Sequence, residues 1–108
     1  MIGQRKFIVH YRSIENEQLG NATVVFIPDS NANFNVGVSY CSPRDRWNRK
    51  RAIEIASGRA TKNLTQKIQA TTKEELYKIA SDVATEFYCA PRWARKLVEQ
   101  VQNRFGAK

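Results

Sequence analysis

The chain of 108 residues has little of what marks several large classes of protein. Two cysteines cannot build the disulfide framework of a small secreted domain, so a reducing compartment is expected. Three prolines and five glycines, with no biased tract, argue against a fibrous or disordered chain. No apolar run approaches the roughly 18 residues of a membrane helix, and the basic start lacks the apolar stretch of a signal peptide. A single histidine and the absence of CxxC spacing leave little for a metal site. Neither a Walker loop nor a GxGxxG fingerprint occurs. The expectation is one soluble, cytoplasmic domain over residues 1–108, with no membrane partner, metal or cofactor.

Acidic side chains are scarce as well: 10 against 18 basic ones, for a net charge of +8. The excess is not spread evenly. Residues 1–40 are neutral, whereas residues 41–70 hold eight basic and two acidic groups and alone carry +6. A field concentrated on about thirty residues favours an anionic partner.

Three segments near the N-terminus alternate as strands do: Lys6–Arg12, Thr23–Ile27 and Phe34–Cys41. In the last, Phe34, Val36, Val38 and Tyr40 share one face. Asn35, Gly37, Ser39 and Cys41 share the other, which is small and polar enough for a ligand or another backbone to approach. At Ser42 the period changes. Ser42-Pro43-Arg44-Asp45 offers a capping hydroxyl, a proline at the first helical position and a carboxylate in the first turn, so a basic helix is expected over 43–58 with Gly58 as its stop. At about 100° per residue, Ala52, Ile53, Ile55, Ala56 and Ala60 fall on the arc that must face the sheet, and Arg44, Arg46, Trp47, Lys50 and Arg51 on the opposite one. Asp45 and Arg49, four residues apart, could pair at the edge.

Asn63–Ala70 alternates weakly as a fourth strand. Thr72 and Glu75 form a capping box opening a helix to about Tyr88, with Leu76, Ile79, Ala80, Val83, Ala84 and Phe87 as its buried stripe. Pro91 begins a last helix, with Ala94, Leu97, Val98, Val101 and Phe105 on one face and Gly106 as its stop. The order is βββα(β)αα, an α+β fold with an antiparallel sheet of three or four strands followed by helices. Cys89 reads as a small core residue, and Tyr77, Tyr88 and Trp93 as core or interface.

An enzyme needs a nucleophile with its base, a convergent carboxylate pair, a metal or a cofactor loop, and no such set stands out. His10, within an alternating strand, reads as a partly buried strand residue. No catalytic residue is assigned, and binding remains. Arginine presents planar, bidentate donors to phosphate, and an indole offers a face on which a base can stack. The candidate ligand residues are Ser42, Arg44, Arg46, Trp47, Arg49, Lys50, Arg51 and Arg59, with Ser42 ordering a helix start whose free N–H groups suit an anion. The plain alternatives are N-capping for Ser42, packing for Trp47 and a solvated face for the basic residues.

Val36–Ala60 reads V-G-V-S-Y-C-S-P-R-D-R-W-N-R-K-R-A-I-E-I-A-S-G-R-A. The frame C-S-P-x-D-x-(aromatic)-x-R-K, followed by I-A-x-G-R, resembles a block in small proteins of tailed bacteriophages. It is similar to the phage anti-Thoeris sponge family, in which strands precede a helical C-terminal half. The resemblance covers about a quarter of the chain. It implies a non-enzymatic, oligomeric protein of the infected bacterial cytoplasm that sequesters a cyclic ADP-ribose isomer or a cyclic oligonucleotide and so blocks host immunity. No ligand contact of that family is carried onto this chain; the candidate residues rest on the helix-start and charge argument. The alternatives are a small DNA- or RNA-binding protein, and an inhibitor that presents Trp47 amid basic residues to an acidic host protein.

Overall fold

A computed structural model describes residues 5–13, 19–30, 33–62 and 67–105, the side chains of Ser30, Arg104 and Phe105 excepted. The elements run β1 (Phe7–Tyr11), β2 (Asn21–Ser30), β3 (Asn33–Cys41), α1 (Arg49–Lys62), β4 (Lys67–Gln69), α2 (Lys73–Glu86) and α3 (Ala94–Phe105). The strands form one antiparallel sheet in the order β1-β2-β3-β4. The chain therefore has the α+β fold that its alternating N-terminal half and helical C-terminal half lead one to expect. The fourth strand is the short segment Lys67–Gln69, paired with Asn33–Asn35; residues 63–66 of the expected strand lie outside the described residues.

The two faces of the sheet have different tasks because successive side chains on a strand point opposite ways. Val9, Tyr11, Ala22, Val24, Phe26, Phe34, Val36 and Val38 pack with Leu76, Ala80, Val83, Ala84 and Phe87 of the α2 segment and Leu97 and Val98 of α3. Fully burying a side chain the size of Phe26, Leu76 or Leu97 contributes about 1.5–3 kcal/mol. Tyr40 seals the margin of this core by donating its hydroxyl to the Ala84 carbonyl at 2.6 Å. Thr72 caps α2 as expected, its Oγ1 accepting from the Glu75 backbone N–H at 3.2 Å, but the box is not closed: the Glu75 carboxylate accepts from the Thr71 hydroxyl at 3.1 Å instead of from the Thr72 backbone.

The opposite face of β3 carries α1. The polar row is small because a helix backbone lies on it: a Cβ at Gly37 would run into the Ala56 carbonyl and the Ala60 amide. Ser39 donates to the Ala52 carbonyl at 2.8 Å. Ala52, Ala56 and Ala60 are the buried stripe of α1, and their spacing of four residues keeps the helix close along its whole length. Helices thus cover both faces of the sheet, α1 on one and α2 with α3 on the other.

Several local expectations are corrected. The helix does not begin at Pro43. Ser42 caps a turn, its hydroxyl accepting from Arg44 N–H at 3.2 Å and its carbonyl from Asp45 N–H at 3.0 Å. The helix begins at Arg49, where Asn48 Oδ1 accepts from Arg51 N–H at 3.1 Å. Gly58 does not stop it; the close packing of Ala56 and Ala60 carries α1 on to Lys62. Ile53 is half-buried and Ile55 is 38% exposed, so neither belongs to the stripe. Asp45 and Arg49 form no ion pair; the one salt bridge among the described residues is Lys67 to Asp29, at 2.8 Å. Cys89 is exposed, not core. Of the residues read as core or interface, Tyr77 (54%) and Tyr88 (78%) are exposed and so not core, whereas Trp93 packs on the core margin against Tyr40. Gly106 lies outside the described residues.

Candidate functional site

Because α1 starts six residues later than Ser42-Pro43 suggests, residues 42–48 form an irregular segment that arches over the end of the sheet. A cleft of about 240 Å³ opens beneath it. Asn21, Thr23 and Ser39 form its floor, from β2 and β3. Cys41, Asp45, Arg46, Trp47 and Asn48 line one side, and Arg51, Ala52 and Ile55 of α1 the other. Thr23 and Ser39 are the two buried polar residues of the described chain.

Trp47 is the anchor of the arch. The Arg12 guanidinium carbon lies 3.8 Å from its ring centroid, and the His10 ring meets it at 89° with centroids 5.4 Å apart. Arg12 Nε in turn donates to Asn21 Oδ1 at 3.3 Å, and the same oxygen accepts from Ser13 N–H at 3.0 Å. A guanidinium over an indole is attracted by the ring's negative face. Trp47 is therefore half-buried against β1, on the side of the sheet away from α2 and α3, with one face taken by Arg12.

At the edge of the floor, His10 stands in one row with Thr23 and Ser39 across β1, β2 and β3. His10 Nδ1 lies 2.9 Å from Thr23 Oγ1, while Nε2 is buried without a hydrogen-bond partner among the described residues. Burial, then the charges of Arg49 and Arg12, hold the imidazole below its ordinary range, so it is neutral at pH 7. The Cys41 thiol, 3.7 Å from the carbonyls of both Ser42 and Asp45, is pushed up by burial and by the Asp45 charge. Among the described residues no three side chains of His, Cys, Asp or Glu gather as metal ligands would, and no helix is long and apolar enough to cross a membrane.

Of the eight candidate residues, the structure brings Arg46, Trp47 and Arg51 to the cleft. Arg44, Arg49 and Lys50 are exposed near it, on the turn and the first turn of α1. Ser42 orders the arch, not the helix start. Arg59 faces elsewhere, donating to the Val38 carbonyl at 2.8 Å. Asn21, Thr23, Asn48 and, beside them, His10 and Arg12 were not singled out as ligand residues by the sequence. The polar face of β3 was the one local signal that pointed to this floor.

No family model, curated protein or solved structure matches the chain.

What the arrangement offers chemically is mainly cationic. Two guanidinium groups stand at the rim beside the N-terminus of a helix of 14 residues, with the Asp45 carboxylate among them, whereas the floor hydroxyls are buried and that of Ser39 is already given to the Ala52 carbonyl. Arg46 and Arg51 make no side-chain ion pair among the described residues, so both remain available to an incoming anion.

Proposed function

We propose that the chain is a non-enzymatic binding protein that sequesters a phosphate-bearing nucleotide in the cleft beneath the 42–48 arch. The observation that carries this reading is the convergence on one cleft, beside a helix N-terminus, of two guanidinium groups, Arg46 and Arg51, neither ion-paired among the described residues. Arginine reads phosphate oxygens in bidentate fashion, and hydroxyls or amides complete the contact to phosphate or sugar. Small-molecule pockets usually run from about 300 to 1,000 Å³. A cleft of about 240 Å³ therefore suits a phosphate and its sugar, with the rest of the ligand lying outward along the exposed Arg44, Arg49 and Lys50. The phage-like block at Val36–Ala60 supports a cyclic ADP-ribose isomer or cyclic oligonucleotide as the cargo, an anti-defence role in the bacterial cytoplasm, and assembly as a homo-oligomer.

The test is a thermal-shift panel of cyclic ADP-ribose isomers, cyclic di- and trinucleotides and a mixed-sequence DNA duplex at near-physiological salt. A ligand at about a hundred times its Kd adds roughly 2.7 kcal/mol of stability, a shift of several degrees in a domain of this size. A shift with one small nucleotide supports the reading. Silence with every nucleotide in the panel contradicts it.

One observation favours a second reading. Arg44, Arg46, Arg49, Lys50 and Arg51 are all exposed on consecutive turns, as a cationic track would be. Such a track binds DNA or RNA through phosphates, with an affinity that falls steeply as salt rises. A shift with the duplex alone, vanishing with salt, favours that alternative.

A further inference from the structure

One acidic side chain stands among the cations of the cleft. Asp45, exposed on the 42–48 arch, lines it together with Arg46 and Arg51, and its charge reaches the Cys41 thiol on the same wall. Its carboxylate makes no ion pair or side-chain hydrogen bond among the described residues. The other side-chain acceptors of the lining are taken or out of reach. Asn21 Oδ1 accepts from Arg12 Nε and Ser13 N–H, and Asn48 Oδ1 from Arg51 N–H. The Thr23 and Ser39 hydroxyls are buried, and Tyr40 turns its hydroxyl to the Ala84 carbonyl.

We propose that Asp45 reads the sugar of the nucleotide, accepting hydrogen bonds from the two vicinal hydroxyls of a ribose while Arg46 and Arg51 hold the neighbouring phosphate. The inference rests on the nucleotide reading of the cleft. An ionised carboxylate has acceptor sites only, and so has a fully ionised phosphate, so the two repel and neither donates to the other. Asp45 therefore weakens the binding of a bare phosphate, and it gains a contact only from a part of the ligand that carries O–H or N–H. Next to the phosphate that part is the sugar; the amines of the base lie farther along the ligand, beyond a cleft of about 240 Å³. Two adjacent hydroxyls can each donate to one carboxylate oxygen. Dinucleotide-binding folds fix a ribose with an acidic side chain in the same chemical way.

The class of ligand follows. The cleft takes a ribonucleotide in which both hydroxyls of one ribose are free, as in a 5′-nucleotide or an ADP-ribose, in preference to its deoxy form. A 3′,5′-linked cyclic oligonucleotide keeps one hydroxyl on each sugar and loses half of the contact, and DNA loses all of it. Hydrogen bonds to a charged group are among the stronger ones, so removing the pair is expected to raise Kd by about tenfold or more.

The experiment measures Kd by NMR from the backbone amides of Arg46, Arg51 and Ala52 in the intact chain, titrated to millimolar AMP or 2′,3′-dideoxy-AMP, in wild type and D45A. The Asp45 side chain makes no bond that holds the arch among the described residues, so D45A is expected to keep the wild-type spectrum elsewhere. The expected result is that both nucleotides shift the same amides and that wild type binds AMP about tenfold or more tighter than the dideoxy form. D45A binds the two alike, and the dideoxy form no more weakly than wild type does, since a negative charge has left the cleft. Equal affinities in wild type, or a preference for AMP that persists in D45A, overturn the role of Asp45 and leave the cleft reading standing. Amides that stay still with both nucleotides overturn the cleft reading and the inference together.

Discussion

The guanidinium of Arg12 and the indole of Trp47, thirty-five residues apart in sequence, stack at 3.8 Å. This contact ties the irregular 42–48 segment to β1 and so fixes one side of the cleft. An exposed cation–π pair is worth about 0.5–1 kcal/mol. R12A is expected to lower stability by roughly 1 kcal/mol, read as a shift in the denaturant midpoint. In a W93F background it is also expected to move Trp47 fluorescence toward that of a solvated indole. An unchanged spectrum would show that another contact holds the arch.

G37A tests how closely α1 rests on the sheet. The added Cβ meets the Ala56 carbonyl and the Ala60 amide, which are helix backbone and cannot swing aside as a side chain can. Overpacking of this kind typically costs about 1–3 kcal/mol, and the expected loss is at the upper end or beyond. G58A, where a Cβ meets nothing, is the control and is expected to stabilise by several tenths of a kcal/mol through better helix propensity. Equal denaturant midpoints for the two variants would contradict the packing described.

Stability is expected to fall on mild acidification because of His10. Its folded pKa lies below the ordinary 6.5, so the unfolded chain binds the proton more readily. Stability is therefore fully present above about pH 6.5 and declines as pH drops toward the folded value, where the loss levels off. The check is the denaturation midpoint at steps from about pH 7.5 to 5.5, in wild type and H10Q. The variant is expected to show a flatter profile in that window. Parallel profiles would remove His10 as the cause.

The two thiols are expected to separate in reactivity. Cys89 is exposed, whereas Cys41 is half-buried in the cleft, with its thiol pushed up by burial and Asp45. Since the thiolate is the reactive form, an alkylating reagent is expected to label Cys89 first and Cys41 slowly, as mass spectrometry of digested peptides will show. A nucleotide seated in the cleft is expected to slow Cys41 further and leave Cys89 unchanged. Equal labelling of Cys41 with and without a nucleotide that shifts the melting temperature would place that ligand elsewhere.

The strands were legible because their alternation is local. Phe34–Cys41 shows its core face and its polar face outright, and the register follows once Val24 and Val38 are aligned. Thr72 with Glu75 was legible for the same reason, since the cap and its partner lie three residues apart. The start of α1 was not, because Ser42-Pro43-Arg44-Asp45 supplies hydrogen bonds that open either a helix or a turn, and only the second cap at Asn48 distinguishes them. A helical wheel drawn from Pro43 then sets Trp47 on a solvent face with the arginines. Its true neighbours, His10 of β1 and Arg12 just after it, belong to the first forty residues, whose charges cancel and which a charge count therefore passes over. Arg59 shared the basic segment but turns to the backbone of β3, a contact invisible without the helix crossing. The site is thus half written in the 41–51 segment and half assembled by the sheet register.

The most direct test of the account is isothermal titration of the best nucleotide from the thermal panel against R46E/R51E and against a control pair, R95E/K96E. Arg95 and Lys96 are exposed on α3, across the sheet from the cleft, and the two double variants change net charge equally. The account predicts that R46E/R51E loses binding while remaining folded by circular dichroism, and that R95E/K96E binds as wild type does. Wild-type affinity in a folded R46E/R51E protein would contradict it.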